Sequence, residues 1–138
     1  MRMHETFEHT ADLGLRIRAA DLDALFAEAG LALFSAIVDD LAAVEPREQV
    51  DLDLQGTDRE YLLFDWLNEL LHRFDPERML FSKFTVQVTP TGLHGSAWGE
   101  PVDPDRHALS HEVKAITYHG LKLEQVADGW LAEVIVDI

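Results

Sequence analysis

An aspartate near the end of the sequence sits where a purely structural account is awkward. Asp137 follows the apolar run Val134, Ile135, Val136 and precedes Ile138. Aspartate is disfavoured in strands, and burying its charge without a partner is costly, so it calls for a base or a metal. The α-carboxylate of Ile138, the last residue of the sequence, is one position away. Two such carboxylates offer the oxygen donors that Ca²⁺, Mg²⁺ or Mn²⁺ take; solvated acids at an exposed strand end are the equal alternative on spacing alone. A second motif, His9-Thr10-Ala11-Asp12, precedes the first clear strand. A His and an Asp in such a place form turns more often than they bind ligands. Asp65, Asn68, Glu69 and His72 recur at spacings of three and four and so share one helix face, whose plain reading is the solvated side of an amphipathic helix. The segment from Glu112 to His119 is polar and dense for a strand, and the plain reading of Lys114 and His119 is as ordinary surface residues. No Ser-His-Asp order, phosphate-cradling glycine loop or zinc helix motif is present, so no self-contained catalytic apparatus is visible.

The elements that must position these residues follow from hydrophobic periodicity. Leu22, Leu25, Phe26, Ala29, Leu33 and Ile37 recur at helical spacing, with Asp21 as the N-cap. A second helix starts at Thr57-Asp58-Arg59-Glu60, which fits a capping box. Its apolar stripe is Leu63, Trp66, Leu67, Leu70, Leu71 and Phe74, and Asp75-Pro76 stops it. Elsewhere the pattern alternates. Leu13 to Ala19, Val50 to Gln55, Lys83 to Val88, the stretch through Leu93, Gly95 and Ala97, the pair Leu121 and Leu123, and Trp130 to Ile138 read as strands. Thr89-Pro90-Thr91-Gly92 and Asp128-Gly129 are turns. The segment from Gly99 to His111, with two prolines and two histidines, reads as a polar loop with room to move. The expected fold is therefore α+β: a mostly antiparallel sheet with two helices packed on one face, a two-layer sandwich forming one domain over residues 1–138.

Composition narrows the function. Eleven Lys and Arg against 26 Asp and Glu give a net charge of −15, and no basic cluster interrupts it. Such a surface repels phosphate backbones, so strong direct nucleic-acid binding is not expected. The charge either keeps the protein soluble, suits a basic partner, or gathers carboxylates around a cation. Cysteine is absent, which excludes disulfides and thiolate metal sites. Neither a signal peptide nor a membrane-spanning run is seen, which points to the cytoplasm.

Taken together the motifs resemble the archease family. The matching pieces are His9-Thr10-Ala11-Asp12, then Asp65-Trp66-Leu67-Asn68-Glu69-Leu70-Leu71, then Glu112-Val113-Lys114-Ala115-Ile116-Thr117-Tyr118-His119-Gly120-Leu121, and finally Asp137-Ile138. They occur in the family's order across the whole sequence; Leu13 stands where Ile or Val is commoner. The resemblance implies a small α+β protein that is not itself an enzyme. Archeases activate the RtcB-type RNA ligase, which joins tRNA halves after intron removal and first attaches GMP to one of its own histidines using Mn²⁺. Archease promotes that guanylylation and lets the ligase turn over repeatedly. Carried over residue by residue, the metal site would be Asp12, Asp137 and Ile138, holding one divalent cation, Ca²⁺ first, with Mg²⁺ or Mn²⁺ as alternatives. His9, Asp65, Glu69, Lys114 and His119 would touch the partner or tune the site. Two other readings stay open: a metal-dependent phosphohydrolase using Asp12 and Asp137, and a general chaperone or modulator of nucleic-acid modification.

Overall fold

The computed structural model describes residues 2–9 and 12–138, and excludes the side chains of Glu8 and His9. In chain order the strands are β1 (Met3–His9), β2 (Asp12–Ala19), β3 (Glu48–Gln55), β4 (Met79–Thr89), β5 (Gly92–Pro101), β6 (Ala115–Ile116), β7 (Lys122–Val126) and β8 (Gly129–Asp137). Helix α1 (Leu22–Ile37) lies between β2 and β3, and helix α2 (Arg59–Phe74) between β3 and β4. A short 3-10 helix, Leu41–Ala43, follows α1.

The α+β class and the two helices are as expected, and the strands are distributed over two antiparallel sheets. One runs β1-β2-β8-β6, with β7 also paired to β8; the other runs β3-β5-β4. The two-residue period explains how each sheet buries one face. Leu13, Leu15, Ile17 and Ala19 point into the core, while Asp12, Arg16 and Arg18 alternate with them. On β8, Val134 and Val136 pair with Leu15 and Leu13 and are fully buried. Strand β1 precedes the alternation that begins at Leu13. Its sequence, Met-His-Glu-Thr-Phe-Glu-His, has no clean apolar face, yet it pairs with β2 along its whole length.

Each helix starts on an aspartate cap. The Asp21 carboxylate accepts from the Ala24 amide at 2.8 Å. For α2 the cap is Asp58 rather than Thr57: its carboxylate accepts from the Glu60 and Tyr61 amides at 3.0 and 3.2 Å. Such caps contribute about 1 kcal/mol each by satisfying amides with no helical partner. Helix α1 packs against β2 of the first sheet and β4 of the second, which is why it is apolar nearly all round. Its one buried acid, Glu28, is met by His4 and Arg2. The predicted stripe of α2 is buried from Leu63 to Phe74. Trp66 is its anchor: the indole donates to the Phe26 carbonyl at 2.9 Å and lies over Gly95, where an added Cβ would come within 2.4 Å of the ring.

The stretch from Gly99 to His111, expected as a loop, begins inside β5, where Gly99, Glu100 and Pro101 pair with β4; the remainder is a loop, stapled rather than free. Glu100 and His107 are only 3% and 4% exposed. The Glu100 carboxylate accepts from both terminal nitrogens of Arg106, from the Glu45 amide and from His107 Nε2. His107 Nδ1 accepts from the Asp103 amide, which fixes the neutral tautomer with its proton on Nε2. Ser110 and His111 then donate backbone bonds to Ile37 and Ala36 at the end of α1.

Candidate functional site

The sheet ladders bring the predicted residues to one end of the five-stranded sheet. Asp12 opens β2 and Asp137 closes β8, and the two are direct Cα partners. On either side, His9 is the register partner of Asp12, and Ala115 that of Asp137. Residues directly opposite in an antiparallel pair project to the same face, with Cβ atoms about 5 Å apart. The Asp12 and Asp137 carboxylates therefore share the face opposite to that carrying Leu13 and Val136. Both residues are half-buried. Thr10 and Ala11 of the first motif lie outside the described residues, as does the His9 side chain.

Lys114 adjoins the pair through the backbone. Its amide donates to the Asp137 carbonyl at 2.7 Å, while its side chain is exposed. Ile138, half-buried, follows Asp137 directly. Asp65 and Glu69 are not part of this row; they lie on α2, which packs beside β6 and β7. The Asp65 carboxyl is shifted above the ordinary aspartate range, first by burial and then by the charge of Glu69 one turn on. Glu69 and His72 are exposed, in keeping with a solvated helix face. His119 is exposed in the turn before β7.

Two carboxylates set directly opposite repel each other, and a divalent cation between them would relieve that repulsion. The donors on offer are all oxygens, which suits a hard cation and not a thiolate-seeking one. Among the described residues no three His, Cys, Asp or Glu side chains gather as a metal cluster. The residues present thus fit one hard cation with much of its coordination left to water or to a partner's oxygens.

Three aromatic residues near this end were not singled out by the sequence pattern. Tyr61 and Phe64 on α2 meet Tyr118, which follows β6, with ring centroids 5.5 to 5.8 Å apart. The available signal was the i, i+3 spacing of Tyr61 and Phe64 on a helix face lying outside the buried stripe.

Fold and site together define a small α+β protein with an acidic site at one end of an antiparallel sheet. The chain belongs to the Archease protein family (MTH1598/TM1083), whose model matches residues 4–138. It is 41% identical over 143 residues to the protein archease of Pyrococcus furiosus, with all of both chains covered. It is 45% identical over 138 residues to that of Methanopyrus kandleri, covering 97% of this chain and 98% of that one. Its structure is similar to the solution structure of protein 1598 from Methanobacterium thermoautotrophicum, with a TM-score of 0.85, 38% identity and 98% of each chain covered. No helix among the described residues is long and apolar enough to cross a membrane.

Proposed function

We propose that this protein is an accessory factor that activates an RtcB-type RNA ligase in tRNA splicing and RNA repair. Membership of the archease family supports an accessory role in RNA processing. The single observation that carries the finer reading is the direct pairing of Asp12 with Asp137 at one sheet end. In this reading Asp12, Asp137 and the carboxylate of Ile138 hold one divalent cation, Ca²⁺ or else Mg²⁺ or Mn²⁺. The bound ion supplies positive charge and open positions for oxygen ligands, such as those of a phosphate, at a surface that is otherwise strongly acidic. The protein's own part is to fix the two carboxylates through the β2–β8 ladder and to present them beside Lys114. The net charge of −15 suits docking onto a basic, RNA-handling enzyme in the cytoplasm, because complementary charge speeds encounter. His9, Asp65, Glu69, Lys114 and His119 are the residues assigned to contact with the ligase or to tuning of the site. Catalysis stays with the ligase.

The test is ligation of tRNA halves by an RtcB-type ligase with GTP and Mn²⁺, with this protein at one-tenth of the ligase concentration. The expected result is many turnovers per ligase where the ligase alone stalls. No increase with the ligase of the same organism would contradict the reading. Phosphoester hydrolysis by the purified protein alone would favour the metal-dependent hydrolase instead.

A further inference from the structure

A second surface lies next to the acidic sheet end. Tyr61 and Tyr118 are among the most exposed large hydrophobic residues described, at 52% and 47%. With half-buried Phe64 they form a closed triangle of rings, 5.8, 5.8 and 5.5 Å between centroids. The two tyrosines forgo the burial that stabilises aromatic residues elsewhere in this fold, such as Trp66 and Phe81, while Phe64 packs partly against the core beneath them. Carboxylates border the triangle. The Tyr118 phenol is shifted above its ordinary range, first by partial desolvation and then by the charges of Asp58 and Glu60. Asp65 stands one turn from Tyr61 on the same face of α2.

The cluster is also tied to the Asp12–Asp137 row. Ala115 pairs with Asp137, and the Thr117 amide and hydroxyl both bond the Ile135 carbonyl, at 3.0 and 2.9 Å. Tyr118 is the next residue, so about 10 Å of chain at most separates Ala115 from Tyr118. On the other side, Glu60 accepts from the Leu123 amide at 3.3 Å, fastening the first turn of α2 to β7. Tyr61 and Phe64 are thus carried by α2, and Tyr118 by the short segment bonded to β8.

Electron-rich ring faces bordered by carboxylates recognise one chemistry better than others: a guanidinium, which stacks on an aromatic face and pairs with a carboxylate at once. An RNA strand could stack its bases on the rings, but its phosphates would meet the acidic border. We infer that the Tyr61–Phe64–Tyr118 triangle is a docking surface for an arginine-bearing segment of the partner protein. The inference rests on the functional reading above, in that it places the partner beside the carboxylate pair.

The test is an NMR titration of the full chain with an (Arg-Gly)₄ peptide, an (Lys-Gly)₄ peptide and an oligo-uridylate. The Arg peptide should perturb Tyr61, Phe64 and Tyr118 first and bind more tightly than the Lys peptide. The double variant Tyr61→Leu/Tyr118→Leu keeps the charge and apolar bulk, and both positions are exposed enough for the fold to tolerate it. It should weaken the Arg peptide about five-fold or more and the Lys peptide by clearly less, because only the guanidinium stacks its plane on a ring. Equal affinity for the Arg peptide in parent and variant, perturbation centred on another face, or tighter binding of the oligo-uridylate at the triangle would overturn the inference. In ligase guanylylation, the same variant should need more protein for half-maximal stimulation and reach the parent's maximum. An unchanged half-maximal concentration would also overturn it while leaving the activation reading intact. If the parent does not stimulate the ligase at all, the activation reading falls, and the peptide titration still decides the chemistry of the surface.

Discussion

Replacing Asp137 by Asn should change stability in opposite directions with and without a divalent cation. In chelator the Asp12 and Asp137 carboxylates face each other across the β2–β8 ladder. Two unit charges about 5 Å apart repel by ~0.8 kcal/mol in water and by more at a half-buried site, and like charges directly opposite in sheets are destabilising. Asp137→Asn removes one charge and keeps the size, so without metal the variant should be the more stable protein by up to about 1 kcal/mol. For a chain of this length that raises Tm by about 4 °C. With the cation at 100 times its dissociation constant, the parent should gain about 2.7 kcal/mol from binding to the folded state alone. The variant, short of one ligand, should gain far less, so the order of stabilities reverses. Calorimetric or fluorescence melts in EDTA and in millimolar Ca²⁺ or Mn²⁺ read this directly. If the variant gains as much from the cation as the parent, or is the less stable protein in EDTA as well, the carboxylate pair is not a metal site and the reasoning fails.

Glu100→Gln should destabilise the fold by about 2 kcal/mol at pH 7 in urea unfolding, because it replaces a charged acceptor of Arg106, His107 and the Glu45 amide with a neutral one. The same carboxyl is held down to about 2, chiefly by the Arg106 hydrogen bonds. A depressed folded-state pKa gives stability that is present above the ordinary glutamate range and lost as pH falls through it towards 2; the parent should therefore lose more stability than Glu100→Gln between pH 5 and pH 2.5, and parallel losses would contradict the assignment. Gly95→Ala should cost 1–3 kcal/mol, roughly, by pressing a methyl group into the Trp66 ring 2.4 Å away, and an unchanged urea midpoint would show that the indole can move aside. A net charge of −15 predicts weak tRNA binding at most; a submicromolar, salt-sensitive complex in a gel-shift assay would require a basic surface that the sequence lacks.

The parts of this fold that were legible from sequence are those where periodicity and local chemistry agree. The stripe from Leu63 to Phe74 could only be one face of a helix, and Val134 to Val136 with Leu13 to Ala19 could only be core-facing strands. Asp137 was conspicuous because it breaks an apolar run. Strand β1 was not legible, because an edge strand of mixed polarity has no buried face to write a pattern into the sequence. The burial of Glu100 and His107 was hidden for a different reason. Each looks like a loop residue alone, and only their mutual hydrogen bonds, with Arg106, make burial tolerable. The pairing of Asp12 with Asp137 belongs to the same class: each could be marked as a possible ligand, but the register that sets them opposite is a long-range property of the β2–β8 ladder. The Tyr61–Phe64–Tyr118 triangle likewise joins a helix to a distant turn.

The most direct test of the central claim is the transfer of radiolabelled GMP to an RtcB-type ligase in the presence of Mn²⁺, with and without this protein. The account predicts that the parent raises the rate of guanylylation. It also predicts that the Asp12→Ala/Asp137→Ala double variant, shown to be folded by circular dichroism, does not. Stimulation by the double variant equal to the parent's would contradict the claim that the paired carboxylates carry the activity.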